Sequence, residues 1–359
     1  MQNKTTKVLV VATSRKTRGG ITSVVKAHET GEQWKKYHCQ WIETHRDGNS
    51  LRKLWYLATA LIEFLCLVPF YDIVHIHMSE PVSALRKLPF MFWARLWRKK
   101  TIVHFHSFSP ETTIHSRYVW VYRYLFCNAD VVVALSEYWK CEIGRKFDMD
   151  NKVRVIYNPC MTYPSGNGTF ADAEVVVGKK QILYAGTVNA RKGYADMLRA
   201  FAKIAKRHED WIITFAGNGE IENGKRMADE LGISSQVLWL GWVNGADKDR
   251  AFREASVFCL PSYAEGFPMA VLDAWSYGLP VITTPVGGIP DVARDGENML
   301  LFEPGDVDGL ARHMERMISD SELRGRISRE SLNFAKTMFN IKTINKHIER
   351  LYEGLLEMS

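Results

Sequence analysis

Short runs of apolar, often β-branched residues alternate with longer amphipathic segments along most of the chain. We interpret ten of these runs as strands, at residues 8–12, 73–76, 101–105, 131–134, 153–156, 181–185, 211–216, 237–240, 257–260 and 281–283. Runs this short and this continuously apolar are typical of parallel strands that are covered on both faces. With helical segments between the strands, the pattern predicts an α/β fold of two doubly wound, Rossmann-like parallel sheets.

A stretch rich in glycine, proline and small polar residues, 163–178, divides this pattern and is the best candidate for a linker. We predict one domain at 1–165, a second at 166–335, and a C-terminal helix at 336–359 that packs back toward the first domain. Two such domains in series are expected to face each other across a cleft, where open α/β sheets bind ligands. Apolar residues near the C-terminus recur every three or four positions, which indicates one buried stripe. They are Ile341, Ile344, Ile348, Leu351 and Leu355.

The net charge of +7 is distributed unevenly over the 359 residues. Residues 1–170 contain 24 lysines and arginines against 13 acidic residues, whereas residues 171–359 contain 23 against 27. An excess of cations in one half of a chain favours an anionic partner. A phosphate-bearing acceptor and the negatively charged inner face of a membrane both meet that description.

Cysteine usage and the N-terminal sequence both favour a cytoplasmic protein. The six cysteines are scattered without a C-x-x-C pair, which is typical of reduced thiols rather than of a zinc site or a disulfide framework. The N-terminal residues lead directly into the first strand, so we expect no signal peptide. The longest apolar run, 54–70, contains Glu63 near its middle and is short for a membrane span, so we expect a buried helix there.

The segment 263–290 carries the strongest indication of function. It predicts a loop with Glu265, a short helix that begins at Pro268 and ends before Gly278, a strand, and a second glycine-rich loop. Asp273 lies about a turn and a half inside this helix. The free N–H groups and partial positive charge of the helix N-terminus favour an anionic ligand. Together with two carboxylates, this arrangement predicts a site for a nucleotide sugar, which carries a diphosphate and several hydroxyls.

Four features carry a resemblance to a known family: the two doubly wound domains, the paired acids of this segment, its Gly-Leu-Pro-Val-Ile sequence and its Gly-Gly loop. A chain with these features resembles a GT-B glycosyltransferase, and more narrowly the retaining glycosyltransferase family 4. The resemblance covers nearly the whole chain. It implies an N-terminal domain on the acceptor side and a C-terminal domain that binds the nucleotide sugar. It also implies that Glu265 contacts hydroxyls of the transferred sugar and that Asp273 holds the ribose. The backbone of four residues is expected to meet the diphosphate and the sugar: Gly266, Phe267, Pro268 and Met269.

Asp273 departs from the family pattern, which has glutamate at this position. Aspartate is one methylene shorter, so its reach is shorter by about 1.5 Å. It can still accept a hydrogen bond from a ribose hydroxyl if the helix lies closer to the ligand. The alternative interpretation is that Asp273 is a plain surface acid.

A basic pair, Arg191 and Lys192, follows a strand and a glycine turn at Gly186. Negative charge develops on the nucleoside diphosphate as the glycosidic bond breaks, and without a metal fixed cations must stabilise it. The family often has arginine directly after the first glycine of this loop, where this chain has Thr187. We therefore assign the diphosphate to Lys192, with Arg191 as the replacement cation, although a solvated loop position is the alternative for Arg191. Gly186 and Gly193 are expected to allow the turn and a close approach.

Three further loops resemble positions of the family that line the ligand site. Gly217 and Asn218 follow a strand and match the loop beside the nucleotide, although a simple tight turn explains them equally. Val243 corresponds to a position whose backbone often meets the base. Gly19 and Gly20 follow the first strand and precede a helix, which suits a phosphate or the acceptor.

His106 occupies a family position near the transferred sugar, where an imidazole can hydrogen-bond a hydroxyl. The alternative is a structural histidine with all its hydrogen bonds satisfied. His75 and His77 alternate on one predicted strand and face the same side. A metal pair is possible in principle, but no third ligand is apparent, so we expect no metal site and interpret both as structural or cleft-lining.

Residues 83–100 combine six cations with four bulky aromatic residues. Such a segment can lie on an anionic membrane surface. The alternative is a helix whose apolar face packs on the sheet while its basic face meets water. No nucleic-acid-binding signature accompanies the segment, so no nucleic acid partner is expected.

These observations predict a cytoplasmic, metal-independent, hexosyltransferase-type glycosyltransferase, peripheral on the inner face of the membrane through 83–100. We expect a UDP-linked sugar as donor, a growing and lipid-linked glycan as acceptor, a retaining reaction in polysaccharide or surface-glycan biosynthesis, and no cofactor. One alternative is a nucleotide-sugar epimerase of the same fold. Another is a non-catalytic nucleotide-sugar-binding protein, which the departures at Thr187 and Asp273 would suit. A dehydrogenase is disfavoured because no G-x-G-x-x-G turn follows the first strand.

Overall fold

The computed structural model describes residues 6–107, 109–160 and 180–357, so the predicted linker at 163–178 lies outside the described residues. The chain divides into two compact units. The first comprises Met1–Pro159 together with Ile341–Ser359, and the second comprises Cys160–Asn340. These boundaries lie a few residues from the predicted ones at 165 and 335.

The first unit is built on six parallel strands. They are β1 Val8–Ala12, β2 Gln40–Glu43, β3 Ile73–Met78, β4 Lys100–Phe105, β5 Val131–Ala134 and β6 Val153–Val155. Their order in the sheet is β2-β1-β3-β4-β5-β6, with every neighbouring pair parallel. Only β2 was not predicted, because this edge strand is short and its two end residues are polar and only half-buried.

Among the described residues of the first unit, seven helices precede the second unit in the chain. They are α1 Gly20–Glu29, α2 Glu32–Lys36, α3 Ser50–Leu67, α4 Pro81–Leu85, α5 Leu88–Leu96, α6 Val119–Asn128 and α7 Glu137–Phe147. One face of the sheet packs its apolar side chains against α3, α5, α6 and α7, with residues such as Phe64, Phe90, Phe126 and Trp139. The segment 83–100, for which a single helix was one of two interpretations, contains the last residues of α4, all of α5 and the first residue of β4.

The expectation of a buried helix at 54–70 is wrong. Helix α3 is long and apolar enough to cross a membrane by length and composition, yet only 17% of its most apolar window is buried. Ala60 and Phe64 are its buried residues, whereas Leu51, Trp55 and Ile62 are 63–79% exposed. Hydropathy alone shows that the side chains of a helix are apolar, but it does not show whether other parts of the protein pack against them.

The second unit contains another six parallel strands. They are β7 Lys180–Ala185, β8 Trp211–Ala216, β9 Val237–Gly241, β10 Val257–Leu260, β11 Val281–Thr283 and β12 Leu300–Leu301. Their order is β12-β11-β10-β7-β8-β9, so the chain leaves β7 in one direction and returns to its other side at β10. The two doubly wound parallel sheets predicted from the sequence are therefore confirmed, and the reversal between β7 and β10 is the kind of position at which such sheets bind ligands.

The helices of the second unit flank this sheet. They are α8 Tyr194–Ala202, α9 Ile221–Glu230, α10 Gly245–Arg253, α11 Met269–Ser276, α12 Val307–Ser319 and α13 Ser321–Lys336. The final helix, α14 Ile341–Glu357, belongs to the first unit. Its buried side chains Ile344, Ile348, Tyr352 and Leu355 pack on the second face of the first sheet, with α1 beside it.

Candidate active site

The loops that follow β7 and β10 meet at the reversal point of the second sheet. Tyr263 donates its backbone N–H to the carbonyl of Arg191 over 2.8 Å, which joins the two loops directly. Gly193 has a φ of +70°, and a Cβ at this position would lie 1.9 Å from the carbonyl oxygen of Pro261. Only glycine satisfies both the backbone angle and the close approach. The fold therefore places the predicted basic pair, Arg191 and Lys192, next to Glu265.

Glu265 is buried among groups that neutralise it. Its Oε1 atom lies 2.5 Å from Lys192 Nζ and 3.5 Å from an Arg191 guanidinium nitrogen. Ser262 donates its hydroxyl to the same oxygen over 2.7 Å. Because the carboxylate is only 9% exposed, its charge requires partners of this kind. The structure thus unites three of the four predicted catalytic residues in one charged cluster.

The backbone holds both cations in fixed positions. Lys192 ends a short 3₁₀ turn whose first N–H groups are capped by Asn189, which accepts from the Lys192 N–H over 3.0 Å. Arg191 donates to the carbonyl of Ala264 over 2.6 Å. The Lys192 side chain passes close to Gly186, whose φ is +151°. The two cations are therefore ordered by the fold and are not solvated loop residues.

The loop that carries Glu265 packs against the glycine-rich loop at 287–288. A Cβ on Gly287 would lie 2.3 Å from the Glu265 carbonyl oxygen, and Gly288 donates to the Gly266 carbonyl over 2.7 Å. Phe267 buries its ring against Trp275 and Phe339, so only its backbone remains to contact a ligand. The close packing of Gly287 and Gly288 on the backbone of Glu265 and Gly266 explains why two glycines follow the acidic motif in the sequence.

Helix α11 begins one residue later than predicted. Pro268 is its N-cap, with an extended backbone, and Met269 is the first helical residue. Gly278 follows the C-cap with a φ of +67°, as predicted for the position beyond the helix end. Asp273 lies inside the helix, 7% exposed, and its Oδ2 is 2.6 Å from Lys248 Nζ. Asp273 is therefore a buried, paired acid, and its interpretation as a plain surface acid is wrong.

The loops after β8 and β9 adjoin this cluster. A Cβ on Gly217 would lie 1.7 Å from the Gly186 carbonyl oxygen, and Val188 donates its N–H to the Asn218 carbonyl over 2.8 Å. The position of a Cβ on Gly241 is 3.8 Å from the Asn218 side-chain oxygen, which brings the loop that carries Val243 close by. The residues predicted to lie beside the nucleotide, Gly217, Asn218 and Val243, thus lie on adjacent loops at the carboxyl ends of β8 and β9.

Comparisons with known proteins agree with this architecture. The family model described as glycosyl transferases group 1 matches residues 169–334, and that described as glycosyltransferase family 4 matches residues 38–162. The chain is 25% identical, over 80% of its length and 76% of the relative, to an uncharacterized glycosyltransferase of Methanocaldococcus jannaschii. It is 28% identical to the lipopolysaccharide 1,6-galactosyltransferase of Salmonella typhimurium, over 63% of its own length and 62% of that enzyme.

The fold matches solved structures over nearly the whole chain. The crystal structure of Anabaena HepE in complex with UDP and glucose superposes with a TM-score of 0.78 at 18% identity, covering 97% of this chain and 99% of HepE. The chain is a GT-B glycosyltransferase that resembles family 4. The predicted class of enzyme, a hexosyltransferase-type glycosyltransferase, is thereby confirmed.

The remaining predicted site residues of this glycosyltransferase belong to its first unit. Gly19 is the N-cap of α1, with a φ of +146°, and Gly20 is the first residue of that helix. His106 follows β4, and its Nε2 lies 2.9 Å from Nδ1 of His77. Burial lowers the pKa of His106 to about 3, so the ring is neutral at neutral pH. All three residues belong to the first unit.

Sequence reasoning missed two features of the glycosyltransferase. Lys248, the partner of Asp273, lies 25 residues upstream on α10, and nothing in its local sequence distinguishes it from an exposed lysine. Sequence reasoning also found no third candidate ligand beside His75 and His77, and the structure places one there. His104, on the neighbouring strand, completes a group of three imidazoles whose ligand atoms lie within 4.8 Å of one another. The repeated His-x-His pattern on β3 and at the end of β4 is the signal that could have revealed this group.

Proposed function

We propose that this glycosyltransferase transfers a sugar, with retention of its anomeric configuration, from a UDP-sugar to a growing surface glycan. The observation that carries the proposal is the contact of Lys192 and Arg191 with Glu265 at the reversal point of the second sheet. Two relatives support the acceptor class by their names, the lipopolysaccharide 1,6-galactosyltransferase and the capsular polysaccharide biosynthesis glycosyltransferase CapM of Staphylococcus aureus. The HepE complexes with UDP support the donor.

The diphosphate of the donor binds between the basic pair and the start of α11. Lys192 supplies a point charge, Arg191 supplies a second cation, and the first turn of α11 supplies backbone N–H groups and the positive end of a helix dipole. Asp273 accepts a hydrogen bond from a ribose hydroxyl while its Oδ2 atom is paired with Lys248. Fixed cations take the role that a metal has in other transferases, so added Mg²⁺ or Mn²⁺ should leave the initial rate unchanged.

The reaction proceeds on one face of the sugar. The bond between the anomeric carbon and the diphosphate oxygen breaks, and the acceptor hydroxyl forms the new glycosidic bond from the same side. The proton of that hydroxyl passes to the departing diphosphate, whose developing negative charge Lys192 and Arg191 stabilise. Glu265 orients the sugar through its hydroxyls, and the neutral ring of His106 is a further candidate hydrogen-bond partner for a sugar hydroxyl. No side chain is needed as a general base.

We further propose that the enzyme works at the cytoplasmic face of a membrane on a lipid-linked glycan. The surface that supports this proposal consists of α3 and α5, which pack together through Phe64 and Phe90 at 5.1 Å between ring centroids. Outward from this contact, both helices present large apolar side chains to solvent. They are Leu51, Leu54, Trp55 and Ile62 on α3, Phe70 just after it, and Phe92, Leu96 and Trp97 on or next to α5, all 47–79% exposed.

Cations accompany these apolar side chains. Arg52 and Lys53 are exposed on α3, and Arg95 and Arg98 are exposed at the end of α5. Apolar residues flanked by lysine and arginine are typical of helices that lie in the interface of an anionic bilayer. Lys87 is not part of this surface, because it is buried and hydrogen-bonded to Thr44. The basic character of 83–100 is therefore concentrated at its C-terminal end.

The deciding experiment for the reaction uses the purified full-length chain, a panel of UDP-sugars and a glycan acceptor. We expect release of UDP only when the acceptor is present, and NMR of the product should show the anomeric configuration of the donor. Conversion of the UDP-sugar to its epimer without acceptor would replace the proposal by an epimerase. Binding without turnover for every sugar and acceptor would favour a non-catalytic binding protein. A thermal-shift series with nucleoside diphosphates identifies the base, because a preferred ligand stabilises the folded protein by mass action.

A further inference from the structure

Three buried imidazoles lie together on one face of the first sheet. His75 and His77 belong to β3 and His104 to β4, with His77 and His104 opposite each other in the strand register. Their ring centroids are 4.5–5.5 Å apart, and none of the three residues is more than 2% exposed. One ligand nitrogen of each ring lies within 4.8 Å of those of the other two.

Several nitrogens of this group have no protein partner. Neither ring nitrogen of His104 is hydrogen-bonded to any residue in the described part of the chain, and the same holds for Nε2 of His75. A buried polar atom without a partner costs about 1–3 kcal/mol, and native proteins contain few of them. Each neutral ring has one lone pair, so His75 and His104 together leave two lone pairs without a partner, which indicates a ligand that binds them.

The opposite nitrogens of two rings are held in place. Nδ1 of His75 lies 2.8 Å from the Tyr352 hydroxyl, and Nδ1 of His77 lies 2.9 Å from Nε2 of His106. Histidines that bind metals almost always use their second ring nitrogen in such a hydrogen bond, which fixes the tautomer and directs the other lone pair at the ion. With Nδ1 engaged, the Nε2 atoms of His75 and His77 remain for coordination.

A fourth imidazole repeats this arrangement on the adjacent helix. His28 of α1 is buried, its Nδ1 lies 2.7 Å from the Asn345 side-chain oxygen, and its Nε2 has no partner among the described residues. Its ring centroid lies 6.3 Å from that of His104. His28 is thus a candidate for a further ligand, whereas His106, whose ring centroid lies 4.3 Å from that of His104, uses its Nε2 in the contact with His77.

We propose that His75, His77 and His104 form a zinc site in the first unit, with His28 available as the fourth ligand. Zn²⁺ binds neutral imidazoles in tetrahedral geometry, whereas Mg²⁺ and Ca²⁺ require oxygen ligands that this group does not offer. Burial keeps the rings in the neutral form that binds metal, because it lowers the pKa of His75 to about 3. The ion links β3 to β4 and stabilises the first unit; it takes no part in sugar transfer.

Coordination requires a modest rearrangement of the three rings. Nitrogens bound to one tetrahedral Zn²⁺ at 2.0–2.1 Å are about 3.3 Å apart, so the more distant nitrogens must approach each other by roughly 1.5 Å. Rotation of His104 about χ2, a torsion that is broad for histidine, supplies part of this approach without loss of a hydrogen bond, because neither of its ring nitrogens has a partner among the described residues. Small shifts of His75 and His77 that keep their Nδ1 contacts supply the rest.

Zinc titration of the full-length chain, after treatment with a chelator, tests the proposal. We expect one equivalent of Zn²⁺ to bind and to raise the melting temperature. His104→Gln should weaken binding at least 100-fold, and Tyr352→Phe, which removes only the partner of His75, should weaken it about 10- to 100-fold. His115→Gln is the matched control, because His115 has a 42% exposed side chain remote in the fold from this group, and it should bind zinc as the unaltered chain does.

X-ray absorption at the zinc edge separates this site from the exposed cysteines. We expect nitrogen neighbours at about 2.0–2.1 Å and no sulfur at about 2.3 Å. Sulfur neighbours, binding below one equivalent, or equal affinity in Tyr352→Phe and the unaltered chain would each overturn the proposal. Circular dichroism shows whether His104→Gln is folded; if it is not, Tyr352→Phe decides the question. Donor binding by the second unit is measured in a separate experiment. Failure of the zinc site would therefore leave the proposed sugar transfer unaffected.

Discussion

Lys192 Nζ lies 2.5 Å from Glu265 Oε1, so the cation assigned to the diphosphate and the carboxylate assigned to the sugar form one ion pair. Both side chains are at most 13% exposed, and Ser262 donates to the same carboxylate oxygen. A buried pair of this kind is sensitive to the loss of either partner, because the remaining charge is left without compensation. Two predictions follow from this pair, one for each residue.

Lys192→Ala should weaken binding of a nucleoside diphosphate much more than binding of the nucleoside. A hydrogen bond to a charged group contributes about 1.5–3 kcal/mol, which corresponds to a loss of roughly 10- to 100-fold in affinity. Isothermal titration with UDP and with uridine measures the difference. Lys203→Ala, which removes the exposed pair with Asp308, should change neither affinity. Equal losses for both ligands would contradict a diphosphate role for Lys192.

Glu265→Gln should reduce the rate of sugar transfer by about 100-fold while UDP affinity changes little. Glutamine keeps the shape of the side chain but loses the charge that Lys192 and Arg191 neutralise. Initial rates with saturating donor and acceptor provide the measurement. The control is Glu315→Gln, which alters the ion pair with Arg207 on the outside of the second unit and should leave the rate unchanged. A variant as active as the unaltered chain would exclude the assigned role.

Asp273→Ala should abolish the preference for a ribose with free hydroxyls. We expect the ratio of the dissociation constants of 2′,3′-dideoxy-UDP and UDP to fall by about 10-fold or more, because a hydroxyl-to-carboxylate hydrogen bond is lost. Lys248→Ala separates this effect from the loss of the ion pair with Asp273, since it removes the pair but keeps the acceptor. If both variants retain the ratio of the unaltered chain, Asp273 is a structural residue only.

The first unit should lose stability as the pH falls below about 6.5, the ordinary pKa of histidine. Burial lowers the pKa of His75 to about 3 and holds the pKa of His77 and His104 well below the ordinary value. The unfolded chain therefore takes up protons between about pH 6.5 and pH 3 that the folded chain does not. Each of these histidines then contributes up to about 1.4 kcal/mol of lost stability per pH unit.

Urea unfolding with a chelator present, at pH 7.5, 6.5 and 5.5, measures this dependence. His104→Gln should flatten the decline, because one of the protonation sites is removed; His28 and His106, whose pKa burial also lowers, remain in the variant. His115→Gln, at a half-exposed position, should follow the unaltered chain. An unfolding free energy that stays constant from pH 7.5 to pH 5.5 would show that the three rings titrate alike in both states.

The double variant Trp55→Ser, Ile62→Ser should lose affinity for anionic vesicles by about 10-fold or more, since two large apolar side chains no longer enter the bilayer. Both positions are more than 60% exposed, so the fold should be retained. Co-sedimentation with vesicles of anionic lipid measures binding, which should decrease from 0.1 M to 1 M salt as screening increases. Leu238→Ser with Leu240→Ser alters exposed apolar residues of the second unit and serves as control. Absence of co-sedimentation at low salt would exclude the membrane surface.

The sheets were largely predictable because buried parallel strands leave a strong local signal. Strands such as β1 and β5 are short, uniformly apolar and bounded by turn residues, and their predicted ends coincide with the observed ones. The edge strands β2 and β12 escaped prediction because one is partly polar and the other has two residues. A strand of four residues with polar ends, or one of two residues, is too short for a window of sequence to detect.

The candidate site was predictable only where its residues belong to one continuous motif. Glu265, Lys192 and the glycines around them occur in loops whose order follows from the strand–helix alternation. Lys248 and His104 are different, because each acquires its neighbours from a separate part of the chain. The exposure of α3 also depends on packing, since a helix of this composition can be buried in a core as readily as it can lie in a membrane.

Strand periodicity, glycine turns and helix ends are local properties, so the two doubly wound sheets, the family and the loops that carry Glu265, Arg191 and Lys192 were predictable from the order of the residues. The pairing of charges, the exposure of apolar residues and the grouping of histidines became visible once the chain was folded. These properties depend on side chains that are distant in sequence and close in space. Burial and pairing then set their charge and chemistry, as they do for Glu265 and for the imidazoles of β3 and β4.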